Sequence, residues 1–235
     1  MTRVKAILTD IEGTTTPVSF VHDILFPYAR ERLGNFCEAH ASSRDVADIL
    51  VAARRLDGRD HLDLPGTIEL LKQWMSEDRK AGPLKTLQGM IWRQGYESGV
   101  LKGQVYADAA QMLRRWHGRG LTLMVYSSGS EEAQRLIFGY SDQGDLVPLF
   151  SGFYDTRVGA KVEAASYRAI AKAAGFEPGE ILFLSDHVGE IKAALEAGLQ
   201  AICIDRAMSL EDSKPVDGIQ VAGSFLPVET WLTAG

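Results

Sequence analysis

Residues 4–17 read VKAILTDIEGTTTP. Their first part, Val4–Leu8, is a short and mostly apolar run, which is typical of a strand buried in a parallel sheet. The run leads to Asp10 and, two residues later, to Glu12, which a glycine and three threonines follow. In open α/β sheets, ligands bind outside the carboxyl ends of the strands. Two acids at such an end indicate a chemical site, although the same residues can also form an Asx turn with Glu12 in solvent.

Phosphoryl transfer is a chemistry that this pair of acids fits. An aspartate at the end of a strand can attack phosphorus and carry the phosphoryl group as an aspartyl-phosphate. Two carboxylates also suit Mg²⁺, a hard cation that binds oxygen ligands together with substrate phosphate. Asp10 is therefore a candidate nucleophile, and Asp10 and Glu12 are candidates for a metal site.

The composition of the 235-residue chain is that of an ordinary globular protein, with 46% hydrophobic and 24% charged residues. Its net charge of −6 argues against a nucleic-acid or membrane-surface partner, but a local metal still permits a small anionic substrate. The two cysteines, Cys37 and Cys203, lack metal-ligand spacing, so we expect free thiols in a reducing cytosol. No apolar stretch approaches the length of a membrane span, and we expect a cytoplasmic protein.

The pattern of apolar residues differs between the two halves of the chain. After Pro17 it is helical for about eighty residues, and the predicted helices cover 20–33, 46–56, 67–75 and 84–99, with breaks at 64–66 and 81–83. Strands and helices alternate in the second half. The predicted strands cover 121–126, 152–154, 181–184, 201–204 and 219–221, and the predicted helices 106–117, 131–138, 163–174 and 188–197.

This alternation predicts an α/β protein with a doubly wound parallel sheet. The first strand precedes the helical block and its partners follow it. We therefore predict a core domain built from residues 1–16 and 103–235, with a helical module of residues 17–102 inserted into it. The alternative, an α bundle followed by a separate α/β domain, leaves the first strand without partners.

Two later segments supply groups that bind anions. Ser127 and Ser128 follow a predicted strand and open a helix, where hydroxyls and backbone N–H groups bind phosphate, whereas Ser130 fits an ordinary helix N-cap. Lys161 lies in a polar loop before the next helix, where its charge would neutralise a phosphate or the attacking carboxylate. A loop lysine is usually solvated, so its place in the chain carries this prediction.

A further acid, Asp186, ends another predicted strand. Parallel strand ends lie side by side, so Asp186 is a candidate for a third metal oxygen, with an N-cap of the following helix as the alternative. Glu190 lies one helical turn beyond and is a weaker candidate for positioning a water. For His187 and Glu190 we expect surface or helix-face roles.

These segments, in this order, resemble the motifs of the haloacid dehalogenase-like hydrolases over essentially the whole chain. The matching positions are Asp10-Ile11-Glu12-Gly13-Thr14, Ser127 or Ser128, Lys161 and Asp186. Glu12 departs from the second aspartate that is usual in the superfamily. Three longer stretches are similar to the enolase-phosphatases, or acireductone synthases: DIEGTTTP at 10–17, LQGMIWRQGY at 87–96 and YSSGS at 126–130.

The resemblance implies a Rossmann-like sheet with a helical cap, and a monomeric enzyme of methionine salvage. Such enzymes enolise 2,3-diketo-5-methylthiopentyl-1-phosphate and then remove its phosphate, with one Mg²⁺ per subunit, to give the acireductone. In the cap, apolar contacts to the methylthio end would come from residues such as Phe20, Trp92 or Tyr96, although we expect apolar residues of a cap to form its core.

The resemblance also implies a role for each site residue. Asp10 would be the nucleophile and a metal ligand, and Asp186 would complete the metal site. Glu12 would offer its backbone carbonyl to the metal and its side chain as general acid and base. The residues that would hold the phosphate are Ser127, Ser128 and Lys161.

Two other functions stay open at this point. One is a magnesium-dependent phosphatase that acts on another small phosphate ester, since fold does not determine substrate. The other is a non-catalytic, phospho-accepting switch, which needs neither a general acid nor a large cap. Glu12 and the helical insertion favour an enzyme.

Overall fold

The computed structural model describes residues 3–234. The chain forms two compact units, one comprising Met1–Val18 and Lys102–Gly235 and the other Ser19–Leu101. The functions that we assign to residues 1–16 with 103–235 and to 17–102, a catalytic core and a cap, stay predictions. No helix among the described residues is both long enough and apolar enough to span a membrane.

The unit of residues 19–101 is helical. A turn of π-helix, Phe20–Leu25, runs directly into the first of four α-helices, which are α1 (Phe26–His40), α2 (Arg44–Asp57), α3 (Leu64–Ser76) and α4 (Gly82–Glu97). The three residues proposed to contact a methylthio group are all buried, Phe20 at 1%, Trp92 at 8% and Tyr96 at 2% exposure. Trp92 also donates its indole N–H to the Leu25 carbonyl, 2.8 Å away within the same unit. These contacts fit the expectation that such residues form core.

The two predicted breaks in this unit are helix starts. Residues 64–66 open α3, because Pro65 occupies the first turn and the Asp63 carboxylate accepts a hydrogen bond from the Gly66 amide at 2.9 Å. Proline is tolerated in a first turn, where its missing N–H has no intrahelical partner. Pro83 lies likewise in the first turn of α4. The prediction of breaks at these positions was therefore wrong by a few residues at each helix boundary.

The other unit is a seven-stranded sheet with helices packed against it. Its strands are β1 (Ala6–Thr9), β2 (Thr122–Tyr126), β3 (Phe150–Tyr154), β4 (Ile181–Ser185), β5 (Gln200–Ile204), β6 (Ser213–Val216) and β7 (Ile219–Ala222). Its α-helices are α5 (Ala107–Gly118), α6 (Glu131–Gly139), α7 (Ala164–Ala174), α8 (Val188–Glu196) and α9 (Leu226–Ala234). The strand order is β3-β2-β1-β4-β5-β7-β6. This architecture confirms the predicted Rossmann-like α/β fold.

One edge of the sheet departs from the prediction. Strand β6 pairs antiparallel with β7, whereas the other strand pairs are parallel. All four residues of β6 are exposed and one of them is Pro215, so the segment has neither an apolar run nor an alternating pattern. Proline is confined to edge strands because it cannot donate to the ladder, and the sequence therefore carries no signal for this strand.

Strand β1 lies between β2 and β4 and all four of its residues are buried. Thr9 is in register with Val125 on one side and with Leu184 on the other. Ala6 and Leu8 face the core formed with α7 and α8, and Ile7 between them points to the opposite face. The chain leaves β1 at Asp10, so this residue emerges beside the ends of two neighbouring strands.

Both cysteines are free thiols buried in the structure, as predicted. Burial raises the pKa of Cys37 and of Cys203 to about 11 in each case. Both therefore stay protonated at neutral pH, which makes them poor nucleophiles and poor metal ligands.

Candidate active site

Asp10 is a buried carboxylate at the centre of the carboxyl edge of the sheet. Its amide donates to the Leu184 carbonyl at 2.8 Å, and the residue is 5% exposed. Lys161 places its Nζ 2.6 Å from Asp10 Oδ1. Burial raises the pKa of the Asp10 carboxyl, the adjacent lysine opposes that rise, and Glu190 adds to it. The Lys161 ammonium thus favours the ionised, nucleophilic form of Asp10.

Lys161 is held between two carboxylates. Its Nζ lies 2.6 Å from Asp10 and 2.8 Å from Glu190 Oε2. Burial alone would lower the pKa of this lysine, but the two carboxylates raise it above its ordinary value. The ammonium therefore stays charged, and the alternative of a solvated loop lysine is wrong for the described structure.

Glu190 has no surface role, and our expectation for it was wrong. It is 8% exposed, and besides Lys161 it accepts a hydrogen bond from Ser185 Oγ at 2.8 Å. The turn between β4 and α8 brings the first helical turn back onto the end of the strand, so position 190 faces inward. The sequence signal for Glu190 is its position as an acid one helical turn after Asp186. Its burial follows only from the fold.

Asp186 lies directly over the loop that follows Asp10. Gly13 has a φ of +72°, and a Cβ built on it would lie 2.0 Å from Asp186 Oδ2. The amide of Asp186 donates to Thr14 Oγ1 at 3.0 Å. Partial desolvation and then the charge of Asp10 raise the pKa of the Asp186 carboxyl, although the residue is exposed. Asp186 and Asp10 are therefore close enough for the charge of Asp10 to act on the Asp186 carboxyl.

The helix cap at this strand end is a different residue. His187 is the N-cap of α8, and its Nδ1 accepts from the Glu190 amide at 3.3 Å. The alternative that assigned helix capping to Asp186 is therefore wrong, which leaves its carboxylate available for other contacts. His187 itself is exposed at the end of the helix, as we expected.

The loop after Asp10 is closed on itself and clamped from outside. The Gly13 amide donates to the Thr16 carbonyl at 2.8 Å. Glu12 is half-buried and forms an isolated parallel β-bridge with Thr16. Arg206 donates from Nε to the Thr14 carbonyl at 3.1 Å, and its guanidinium contacts both oxygens of Asp108, at 2.9 and 2.8 Å. Neither Arg206 nor Asp108 belongs to a local motif, so the sequence carries no signal for this contact.

The serine loop, residues 127–130, follows β2, the strand next to β1. Ser127 is buried and its Oγ accepts from the Gly129 amide at 3.2 Å, whereas Ser128 is exposed. Ser130 caps α6, accepting from the Ala133 amide at 3.3 Å, which is the capping role predicted for it. Gln134 Nε2 donates to the Gly129 carbonyl at 2.9 Å and so holds the loop against α6. Phosphate binding by Ser127 and Ser128 stays a prediction.

The carboxylate oxygens at this edge are suitable ligands for a hard divalent cation. Within the described residues, no three His, Cys, Asp or Glu side chains form a metal-binding group, and Asp10 and Asp186 are the two carboxylates that flank the loop. Mg²⁺ is usually bound through only one or two carboxylates, together with waters and substrate phosphate. The Lys161 ammonium contacts two carboxylates, Asp10 and Glu190, and the charge of Asp10 also acts on Asp186. Negative charge in excess of this one ammonium favours a cation.

The sequence of this chain is similar to those of known proteins. A sequence model of the haloacid dehalogenase-like hydrolase family matches residues 4–198. Enolase-phosphatase E1 of Parvibaculum lavamentivorans is 62% identical over 100% of this chain and 99% of that protein. Enolase-phosphatase E1 of Pseudomonas aeruginosa (strain UCBPP-PA14) is 55% identical over 96% of this chain and 98% of that protein.

Solved structures show the same fold. The UTR4 protein of Saccharomyces cerevisiae superposes with a TM-score of 0.78 at 33% identity, covering 96% of this chain and 100% of its own. A HAD phosphatase from Thermococcus onnurineus has a TM-score of 0.60 at 18% identity, covering 97% and 98%, and shares the fold alone. The span from Asp10 to Glu190 lies inside the matched region. This chain belongs to the enolase-phosphatase E1 family of haloacid dehalogenase-like hydrolases.

Proposed function

We propose that this protein is an enolase-phosphatase of methionine salvage. Its reaction converts 2,3-diketo-5-methylthiopentyl-1-phosphate into the acireductone 1,2-dihydroxy-3-keto-5-methylthiopentene and phosphate. The observation that carries the proposal is the buried contact of 2.6 Å between Asp10 and Lys161 at the carboxyl edge of the sheet. Similarity over the full length to proteins named enolase-phosphatase E1 supports the substrate.

In the phosphatase half, Asp10 acts as the nucleophile. A carboxylate oxygen of Asp10 attacks phosphorus, the bond between phosphorus and the ester oxygen breaks, and an aspartyl-phosphate forms. Glu12 donates a proton to the leaving oxygen and then takes one from water, which attacks phosphorus and restores the Asp10 carboxylate. Lys161 offsets the repulsion between the incoming phosphate and the carboxylates of the site.

The serine loop binds the phosphate in this proposal. Ser127 and Ser128 lie before the first turn of α6, where backbone N–H groups and the helix dipole favour an anion. The bond between Ser127 Oγ and the Gly129 amide fixes the loop at 3.2 Å. Together with Lys161, these groups hold the phosphate against Asp10 for phosphoryl transfer.

Membership of this family implies a divalent cation, and we propose one Mg²⁺ per subunit. Asp10, Asp186 and the backbone carbonyl of Glu12 would hold it. When bound, the cation supplies positive charge that offsets the approach of a carboxylate to a phosphate and polarises substrate oxygens. The raised pKa of Asp186 reflects partial desolvation and repulsion from Asp10, and a bound cation would relieve that repulsion.

The organisation of the protein completes the proposal. Residues 1–16 and 103–235 carry the chemistry, and residues 17–102 act as the cap that the resemblance implies. We further propose a cytoplasmic monomer whose partner is a small phosphate ester rather than a nucleic acid or a membrane. The buried free thiols of Cys37 and Cys203 support a reducing compartment.

Turnover of the diketo phosphate tests the function directly. Phosphate release and the near-ultraviolet absorbance of the conjugated enol are followed in the same reaction, with saturating Mg²⁺. The wild-type protein is expected to give both signals. Absorbance without phosphate release, phosphate release from simple esters but not from the diketo compound, or a single stable phosphorylation would each contradict the proposal and favour a different function.

The Asp10→Asn variant separates the two half-reactions. Its amide cannot form the aspartyl-phosphate, so we expect no phosphate release, while enolisation continues because Glu12, Lys161 and the serine loop still bind substrate. Metal and substrate affinity are measured first, since the substitution also removes a charge. Asp145→Asn, at an exposed aspartate of the same unit, is the control. If Asp10→Asn binds metal and substrate but gives no enol, Asp10 takes part in enolisation as well.

A further inference from the structure

Three hydroxyl groups hold the backbone of the loop that carries Lys161. Tyr126 donates to the Gly159 carbonyl at 2.9 Å, Ser166 to the Ala160 carbonyl at 2.8 Å, and Tyr167 to the Lys161 carbonyl at 2.6 Å. Three consecutive carbonyls are thus each bonded by a different side chain. We call Tyr126, Ser166 and Tyr167 the hydroxyl cradle.

The donors of the hydroxyl cradle sit on rigid elements. Tyr126 is the last residue of β2, and Ser166 and Tyr167 lie in the first turn of α7. None is more than 2% exposed, and the two tyrosine rings pack edge to face with centroids 5.5 Å apart. Burial raises the pKa of both phenols above their ordinary value, so they remain hydrogen-bond donors at neutral pH.

The loop backbone is shaped for this contact. Gly159 has a φ of +148°, and a Cβ at this position would lie 2.3 Å from Ser166 Oγ. Only glycine both tolerates this conformation and leaves room for the serine. The close approach therefore joins the start of α7 to the loop, two residues before the lysine.

The position of the Lys161 backbone matters because its side chain is long and flexible. A lysine loses rotamer entropy when its ammonium is held in one place. The ammonium here contacts Asp10 and Glu190 and lies 5.8 Å from the centroid of the Tyr126 ring. With the backbone held, fewer side-chain conformations compete with the one that faces Asp10.

We propose that Tyr126, Ser166 and Tyr167 are positioning residues for Lys161, acting through the backbone of residues 159–161 to direct its ammonium at Asp10. The inference rests on the proposed role of Lys161 in phosphoryl transfer. The three side chains do not touch the reacting atoms in this scheme. Their contribution should therefore depend on the presence of the lysine.

A double-mutant cycle tests this dependence. Tyr126→Phe and Tyr167→Phe each remove one oxygen, and both are made in the wild-type and in the Lys161→Met background. In the wild type, each is expected to lower kcat/KM about tenfold, the effect of one lost hydrogen bond. In the Lys161→Met background, neither should lower it further by more than about twofold, because the group they position is gone. Single-turnover measurements with excess enzyme keep the slow variants measurable.

Tyr154→Phe is the matched control. Tyr154 packs against the same core as Tyr126 and Tyr167, and its hydroxyl does not belong to the hydroxyl cradle. We expect the wild-type kcat/KM for this variant. Thermal unfolding of every variant shows whether it is folded, and Ser166→Ala, a smaller change, replaces any tyrosine variant that is not.

The outcomes separate this inference from the proposed function. Equal losses with and without Lys161 would make the tyrosines general structural residues and overturn the inference. Wild-type activity in both tyrosine variants, with a large loss in Lys161→Met, would also overturn it while leaving the proposed function intact. Normal kcat/KM in Lys161→Met would instead remove the lysine from the active site.

Discussion

Gly13→Ala is the smallest change that reaches the centre of the proposed metal site. Its added Cβ would lie 2.0 Å from Asp186 Oδ2 and 2.6 Å from the carboxyl carbon. Ordinary contact begins at 3.4 Å, so the carboxylate must move by about 1.4 Å, the difference between these distances. Misplacement by about 1 Å costs on the order of 10²-fold in rate. We therefore expect kcat/KM to fall about 100-fold, equivalent to about 2.7 kcal/mol of transition-state stabilisation.

The cost in stability should be much smaller than the loss in activity. Alanine at the φ of +72° loses roughly 1–2 kcal/mol in the left-handed region. The colliding carboxylate is the end of a side chain and can turn away, which relieves the clash without unpacking the core. The damage should therefore be seen as a weaker metal affinity and a lower rate in a folded protein.

Gly175→Ala provides the matched comparison for this prediction. Gly175 has a φ of +76°, and no atom lies within 4 Å of a Cβ built on it. Both variants thus have the same backbone cost, and only Gly13→Ala meets Asp186. The assay compares thermal unfolding, Mg²⁺ affinity and kcat/KM. If Gly13→Ala retains kcat/KM within about threefold of Gly175→Ala, Asp186 does not act where the structure places it, since a misplacement of this size should cost far more.

Three further predictions address the metal, the loop clamp and acid stability. Chelation with EDTA should abolish turnover and Mg²⁺ should restore it; full activity in a metal-free sample would rule out the metal site. Arg206→Met should lower the free energy of unfolding by about 3 kcal/mol, because the buried Asp108 carboxylate loses its arginine. Arg119→Met breaks a more exposed ion pair and should cost under about 1 kcal/mol. Equal losses of the two variants in urea unfolding would contradict the clamping of the loop by Arg206. Hydrogen bonds from two arginines hold the pKa of Asp57 below its ordinary value of 3.8, so its stabilisation is present above that pH and lost as the pH falls through the lowered pKa. The stability difference between wild type and Asp57→Asn should accordingly shrink on acidification, and a constant difference would argue against this pair.

Local patterns were enough to predict most of the sheet. Strands β1, β2, β4 and β5 are buried on both faces, so their sequences are apolar runs that can be identified without tertiary information. The boundaries at Pro65 and Pro83 were misplaced because a proline can end one segment or open the next. Strand β6 was missed because its residues are exposed and therefore show no apolar pattern. Its presence in the sheet depends on its pairing with β7.

The sequence by itself determined which polar residues stand at strand ends. Asp10, Ser127 and Asp186 each follow an apolar run, and parallel strands bring their carboxyl ends to one edge. The site was predictable to that extent, because each residue's place follows from its own short segment. The resemblance to a known family then supplied roles that spacing alone left open.

Only the tertiary structure decided which side chains touch. Lys161 meets Asp10 across 151 residues of sequence, and Arg206 reaches the Thr14 carbonyl across 192. The burial of Glu190 and the hydrogen bonds of the hydroxyl cradle depend in the same way on how helices return onto the sheet. A local pattern reflects the burial of its own element, whereas a contact between distant side chains is set by the register and packing of the elements that carry them.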